Sequence, residues 1–138
     1  MAAVLFVCVK NGGKSQMAAG LFTKELFQAG KQHAVQVSSA GTQAGEAINA
    51  LSAEVLADVG VDISAQTPTQ LTEQAVREAG LVVVLGAEAQ LPQVDGITVE
   101  RWETDEPSRR GVEGRERMEL IREEIHSRVR ELAARLMG

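Results

Sequence analysis

The 138-residue chain has no tyrosine, one cysteine, three prolines, one tryptophan and three phenylalanines. A single cysteine rules out a disulfide within the chain and suits a reducing cytoplasm. Any redox cycle must draw a thiol from another molecule. So few aromatic rings offer no stacking platform for bases. Positive charge is also short. The 14 basic and 19 acidic residues leave a formal net charge of −5, which opposes a broad nucleic-acid surface or an anionic-membrane role. No apolar run nears the ~20 residues that cross a bilayer. The N-terminal apolar run has no charged region before it, so it reads as a buried strand rather than a secretory signal. His33 and His126 have no metal-ligand spacing to each other or to Cys8, and no metal is expected. What remains is one cytoplasmic domain over residues 1–138, large enough to bury roughly two-thirds of its unfolded surface.

The stretch Cys8-Val9-Lys10-Asn11-Gly12-Gly13-Lys14-Ser15 follows the apolar run Val4-Leu5-Phe6-Val7 and precedes a helical pattern from Gln16 to Ala29. A strand, a glycine-bearing turn and a helix in succession make an anion cradle. The turn can point backbone N–H groups inward, and the helix start adds unpaired donors and a positive dipole end. Gly12 and Gly13 can take positive φ and let those donors approach an oxyanion without a Cβ in the way. Asn11 can pin the loop or adopt a left-handed conformation, and Ser15 can cap the helix or bond the cysteine sulfur. Lys14 closes the cradle. A sulfur anion on Cys8 would be favoured among these donors and ammonium groups. The plain alternative is a buried thiol at a strand end beside an ordinary turn, with Lys10 and Lys14 as solvated surface groups.

Further on, Val35 to Ser39 alternates as a second strand nearer an edge, and Asn49 caps a helix through about Asp58. Thr72 caps a short helix, Glu73 to Ala79, ended by Gly80. Leu81 to Leu85 is the clearest strand, and Ile97 to Trp102 is a fourth. The last helix runs from Gly111 or Val112 to Leu136, with Met118, Ile121, Ile125, Val129, Leu132 and Leu136 on one face. This alternation predicts a three-layer α/β/α domain with a central four-stranded parallel sheet. Such sheets bind ligands beyond the C-terminal ends of their strands. There the cysteine loop meets the acidic loop, residues 103–108.

The lysine-serine pair also invites comparison with a nucleotide phosphate loop. Reading G-x-x-x-x-G-K-S back from Ser15, however, puts Cys8 where the first glycine belongs, and no magnesium aspartate ends the Val-rich strand. In the acidic loop, Asp105 or Glu106 can serve as a general acid for a departing oxygen, or be a solvated loop tip beside Pro107. A donor of this kind must stay partly protonated near neutral pH, through burial or a neighbouring oxyanion. Trp102, just before that loop, packs under it or lines the entrance.

The run from Cys8 to Ala18, together with Ser38-Ser39-Ala40-Gly41-Thr42 and the acidic residue before Pro107, resembles the low-molecular-weight tyrosine phosphatase fold as adapted for arsenate reduction. The likeness covers nearly the whole chain. Lys14 stands where the family's C-x5-R-S pattern has arginine, and this departure resembles the actinobacterial arsenate–mycothiol transferases. Those enzymes join arsenate to the small thiol mycothiol, and a mycoredoxin reduces the product. The resemblance implies Cys8 as nucleophile, Asn11 as loop stabiliser and Ser15 as support for the thiolate. It implies Glu106 or Asp105 as proton donor, with the oxyanion held by Val9, Lys10, Asn11, Gly12, Gly13, Lys14 and Ser15. It also implies mycothiol as co-substrate, with no bound cofactor. Gln16, Trp102, Arg109 and Arg110 are placed around a thiol pocket by their expected positions.

Lysine gives a compact charge on a flexible stem, where arginine gives a planar two-pronged fork. Phosphomonoester hydrolysis depends on clamping three equatorial oxygens, so weak phosphatase activity is expected. The more labile arsenate asks less of the clamp. Thioredoxin-coupled relatives pass electrons through further cysteines, which this chain lacks. The rival readings are a tyrosine or small-molecule phosphatase and an anion sensor without turnover.

Overall fold

Burial of apolar strand residues on both faces of one sheet sets the architecture. The computed structural model describes residues 2–137. Strands β1 (Ala2–Cys8), β2 (Val35–Gly41), β3 (Gly80–Leu85) and β4 (Thr98–Trp102) lie in the order β2-β1-β3-β4, all parallel. Val4, Phe6, Val83, Leu85 and Trp102 point to one face. There they meet helices α1 (Lys14–Gln28), α2 (Ala50–Ala57) and α4 (Gly114–Met137). Leu5, Val7, Val82 and Val84 point to the other, against Val76 of α3 (Glu73–Ala79). Successive strand side chains alternate between faces, which is why one apolar run feeds two clusters. The expected three layers and four parallel strands are both present.

The chain leaves β1 towards β2, then crosses back over β1 to reach β3. The order therefore reverses between β1 and β3, and the crevice of an open parallel sheet opens at such a point. Cys8 ends β1 and Leu85 ends β3, so the cysteine stands at that reversal.

Two helix starts differ from the sequence reading. Helix α1 begins at Lys14 rather than Gln16, with Gly13 at the N-cap and no side-chain cap. Ser15 is thus inside the first turn, free for another bond. Helix α4 begins at Gly114, because residues Pro107–Arg110 form a separate 3-10 turn. Glu106 caps that turn through Ser108 N–H, and Gly111 ends it with φ 80°, a left-handed conformation that costs glycine little. Asn49 and Thr72 cap α2 and α3 as read, accepting from Ser52 N–H and Ala75 N–H.

Candidate active site

The loop between β1 and α1 is held from outside by backbone bonds. The carbonyls of Cys8, Val9, Lys10 and Gly12 accept from the N–H groups of Thr42, Gln43, Gly45 and Asn49 at 3.1, 2.8, 2.9 and 2.7 Å. In a trans peptide the C=O and the following N–H point in opposite directions. Turning those four carbonyls outward therefore turns the N–H groups of Val9, Lys10, Asn11 and Gly13 inward. The Asn11 N–H accordingly lies 3.3 Å from Cys8 Sγ. The left-handed residue of the loop is Asn11, at φ 56°, and neither Gly12 nor Gly13 takes positive φ. At Gly12 the constraint is close approach instead, since a Cβ there would stand 3.0 Å from the Ala47 carbonyl oxygen, tighter than an ordinary contact.

Buried polar side chains set the sulfur's surroundings. Cys8 Sγ and Ser15 Oγ are 2.9 Å apart, and Ser15 Oγ accepts from Asn11 Nδ2 at 2.7 Å. The serine oxygen already has a donor, so its own proton is free to point at the sulfur. Asn11 Oδ1 accepts from Thr69 N–H at 2.9 Å and from Gln16 Nε2 at 3.0 Å. Each buried polar atom in this group is satisfied, as burial demands.

Cys8 opens into a cleft of about 490 Å³ lined by Lys14, Gly86, Thr104, Glu106 and Arg109 among others. Lys14 Nζ donates to Thr104 Oγ1 at 3.0 Å, reaching from α1 to the loop after β4. The ammonium is thus stationed across the mouth of the loop. Val9 lines this cleft, whereas Lys10, Gly12 and Gly13 face a separate cavity of about 520 Å³ with Asn49, Ser52 and Arg117. The sequence reading puts these loop residues around one opening; in the structure they divide between two, with Lys14 on both. No aromatic ring lines the cleft among the described residues.

The carboxylates depart from expectation. Arg117 grips Glu106 with both prongs, at 2.7 and 2.5 Å, and Ser108 N–H adds a bond at 3.1 Å. The Arg117 hydrogen bonds hold the Glu106 carboxyl down at about 2, below its ordinary 4.5. Glu106 is therefore ionised at neutral pH and has no proton to give in this arrangement, contrary to the partly protonated donor expected from sequence. Asp105 is turned to the surface, 2.5 Å from Arg110. The pocket residues need correcting as well. Trp102 belongs to the core, 5.9 Å from Phe6 between ring centroids. Gln16 lies behind the loop, and Arg110 is engaged with Asp105. Of the four, Arg109 alone lines the cysteine cleft.

The Glu106–Arg117 pair carries a pH signature. A lowered carboxyl value stabilises the fold fully above about 4.5, and the contribution is lost as pH falls towards about 2. With the pair about a quarter exposed, screening leaves about 1–2 kcal/mol. Thermal unfolding of Arg117→Met should show a lowered midpoint at pH 6. The gap to the unmodified chain should close between pH 4.5 and 2; a gap constant with pH would contradict the assignment.

Sequence reasoning gives no role to Arg117, Thr104 or Thr69, and names Gly41 only within the stretch that carries the resemblance. A Cβ on Gly41 would stand 2.6 Å from Val9 O. A glycine ending a strand beside a cradle was the available signal for the last.

A family model described as low molecular weight phosphotyrosine protein phosphatase matches residues 3–137. An arsenate reductase of Bacillus subtilis is 31% identical over 136 residues, covering 94% of each chain. Among solved structures, a thioredoxin-dependent arsenate reductase of Corynebacterium glutamicum is 34% identical with a TM-score of 0.79. The match takes in 99% of this chain but only 62% of that one. An arsenate reductase of Archaeoglobus fulgidus is 26% identical with a TM-score of 0.76, over 95% of this chain and 98% of its own.

Proposed function

From the premise that the chain belongs to the low molecular weight phosphotyrosine protein phosphatase family, we propose that it is an arsenate reductase working through an external small thiol, with mycothiol as that thiol. The observation that carries the reading is a lone cysteine whose sulfur faces inward N–H groups and a lysine, with no second cysteine in the chain to relay electrons. Arsenate would sit against the loop N–H groups and Lys14. Condensation with the thiol forms an As–S bond and breaks an As–O bond, leaving arsenic pentavalent. Reduction follows when a second thiol, that of a mycoredoxin, attacks the adduct's sulfur and the two sulfurs leave as a disulfide.

Two orders of events fit this scheme. In one, Cys8 attacks arsenic first and mycothiol then displaces the adduct. In the other, mycothiol attacks directly and Cys8 supports the bound oxyanion. In the direct route the incoming thiol's own proton completes the departing water, so no carboxylic acid is needed. That agrees with Glu106 being held as an anion by Arg117. Offering the protein arsenate with mycothiol, glutathione or thioredoxin in turn tests the reading. Mycothiol with a mycoredoxin should support arsenite release, and equal rates with thioredoxin alone would overturn it.

The family description itself favours a second reading, hydrolysis of an aryl phosphate. Against it stand Lys14 in place of a forked guanidinium and a cleft without an aromatic wall. Lys14→Arg should raise aryl-phosphate turnover by roughly tenfold while arsenate turnover does not rise. Steady-state rates with both substrates check this. Efficient aryl-phosphate turnover by the unmodified chain would favour the phosphatase.

A further inference from the structure

Gln16 does not line the cysteine cleft, yet it is almost fully buried and bonded to Asn11, which in turn bonds the Ser15 hydroxyl beside the cysteine sulfur. We propose that Gln16 is a positioning residue, fixing the direction of the hydrogen-bond chain Asn11 to Ser15 to Cys8 so that it ends with a proton aimed at the sulfur. The proposal rests on Cys8 being the reactive sulfur of the function above.

The direction follows from groups that have no choice of role. A backbone N–H can only donate, so Thr69 N–H at 2.9 Å identifies Oδ1 as the Asn11 atom facing it. A backbone carbonyl can only accept, so Thr67 O at 3.4 Å identifies the Gln16 atom near it as Nε2. That same Nε2 donates to Asn11 Oδ1 at 3.0 Å. Two donors on Oδ1 leave Asn11 Nδ2 facing Ser15, where it donates at 2.7 Å. The serine hydroxyl must then send its only proton elsewhere, and Cys8 Sγ is 2.9 Å away. Reversing the Asn11 amide would reverse the chain: Ser15 would donate to Asn11, and the sulfur would lose a donor.

Asn11 and Ser15 are both fully buried, so water cannot substitute for a misdirected bond. Gln16 adds the second donor on Oδ1 and anchors it to the 67–69 segment. An acceptor at position 16 would compete directly with Thr69 for the orientation of that amide.

The test is the pH profile of Cys8 alkylation by iodoacetamide, which needs neither arsenate nor mycothiol. Its outcome is therefore separate from whether arsenate reduction is the true activity. Gln16→Glu, an acceptor alone when ionised, should move the half-plateau pH upward and slow alkylation at pH 7 by about threefold to tenfold. Gln16→Met, which removes the donor but keeps the length, should move both in the same direction by less. Each substitution is repeated with Ser15→Ala, which cuts the chain one bond before the sulfur. There the Gln16 substitutions should have no further effect on the profile. Superimposable profiles for Gln16→Glu and the unmodified chain would overturn the proposal. So would an equal shift with and without Ser15, the result expected of general loosening. Thermal midpoints confirm that the compared proteins are folded.

Discussion

Cys8→Ser will leave a folded chain whose arsenate turnover has fallen by roughly 10⁴-fold or more, since a hydroxyl at this position cannot do the work of a sulfur nucleophile. The fold should survive because the loop is not built on the sulfur. Its carbonyls are held by residues 42–49, and Asn11 by Thr69 and Gln16. Asn11 N–H and Ser15 remain able to bond an oxygen in place of Sγ. Oxyanion binding should therefore persist, measurable by titrating sulfate or arsenate into the variant. Turnover that survived this substitution would remove Cys8 as the nucleophile and leave the direct route, in which mycothiol itself attacks arsenic. Loss of both binding and fold would mean that the loop depends on the sulfur more than its bonds imply.

Gly41→Ala should be nearly as damaging, though Gly41 carries no functional group. The added Cβ would stand 2.6 Å from Val9 O, 2.9 Å from Asn11 N and 2.9 Å from the Lys10 carbonyl carbon. These are backbone atoms with no rotamer to change. Nor can the strand retreat, because Gly41 N–H donates to Thr69 O and its carbonyl accepts from Leu71 N–H, both at 2.8 Å. The glycine is thus caught between the cysteine loop and the segment that fixes Asn11. A stability loss of about 1–3 kcal/mol is expected from the overpacking. Displacing reacting groups by 1 Å costs about a further 10²-fold in rate. Denaturant unfolding and arsenate turnover measured on one preparation separate the two effects. Unchanged activity with unchanged stability would show that the loop yields easily.

Much of this arrangement can be read in sequence where the determinants are local. The apolar run before Cys8, the β-branched run from Leu81 to Leu85 and the capping residues Asn49 and Thr72 each act within a few positions, so spacing reveals them. Asn11 is legible for the same reason, being a residue type that tolerates a left-handed backbone. The chemistry around Glu106 is not legible, because Arg117 reaches it only after a 3-10 turn and a helix start absent from the pattern. Periodicity ran α4 back to Gly111 or Val112, and a helix continued to that point would place Arg117 elsewhere. Thr69, which orients Asn11, lies 58 positions away in an irregular segment. No periodicity connects such a pair. Trp102 is ambiguous for another reason: it is the last residue of its strand, with the acidic loop directly after it, and its contact with Phe6 exists only once β4 joins the sheet.

The four outward carbonyls have one more use. Their donors, Thr42, Gln43, Gly45 and Asn49, lie on a segment outside the loop itself, so those amides report on a neighbour's motion. If the cysteine loop lifts as a unit, all four should trade their hydrogens for deuterium at one shared rate, and a bound oxyanion should slow them together. A tight anion site can thus be timed from its far side, without a label on any residue that touches the ligand.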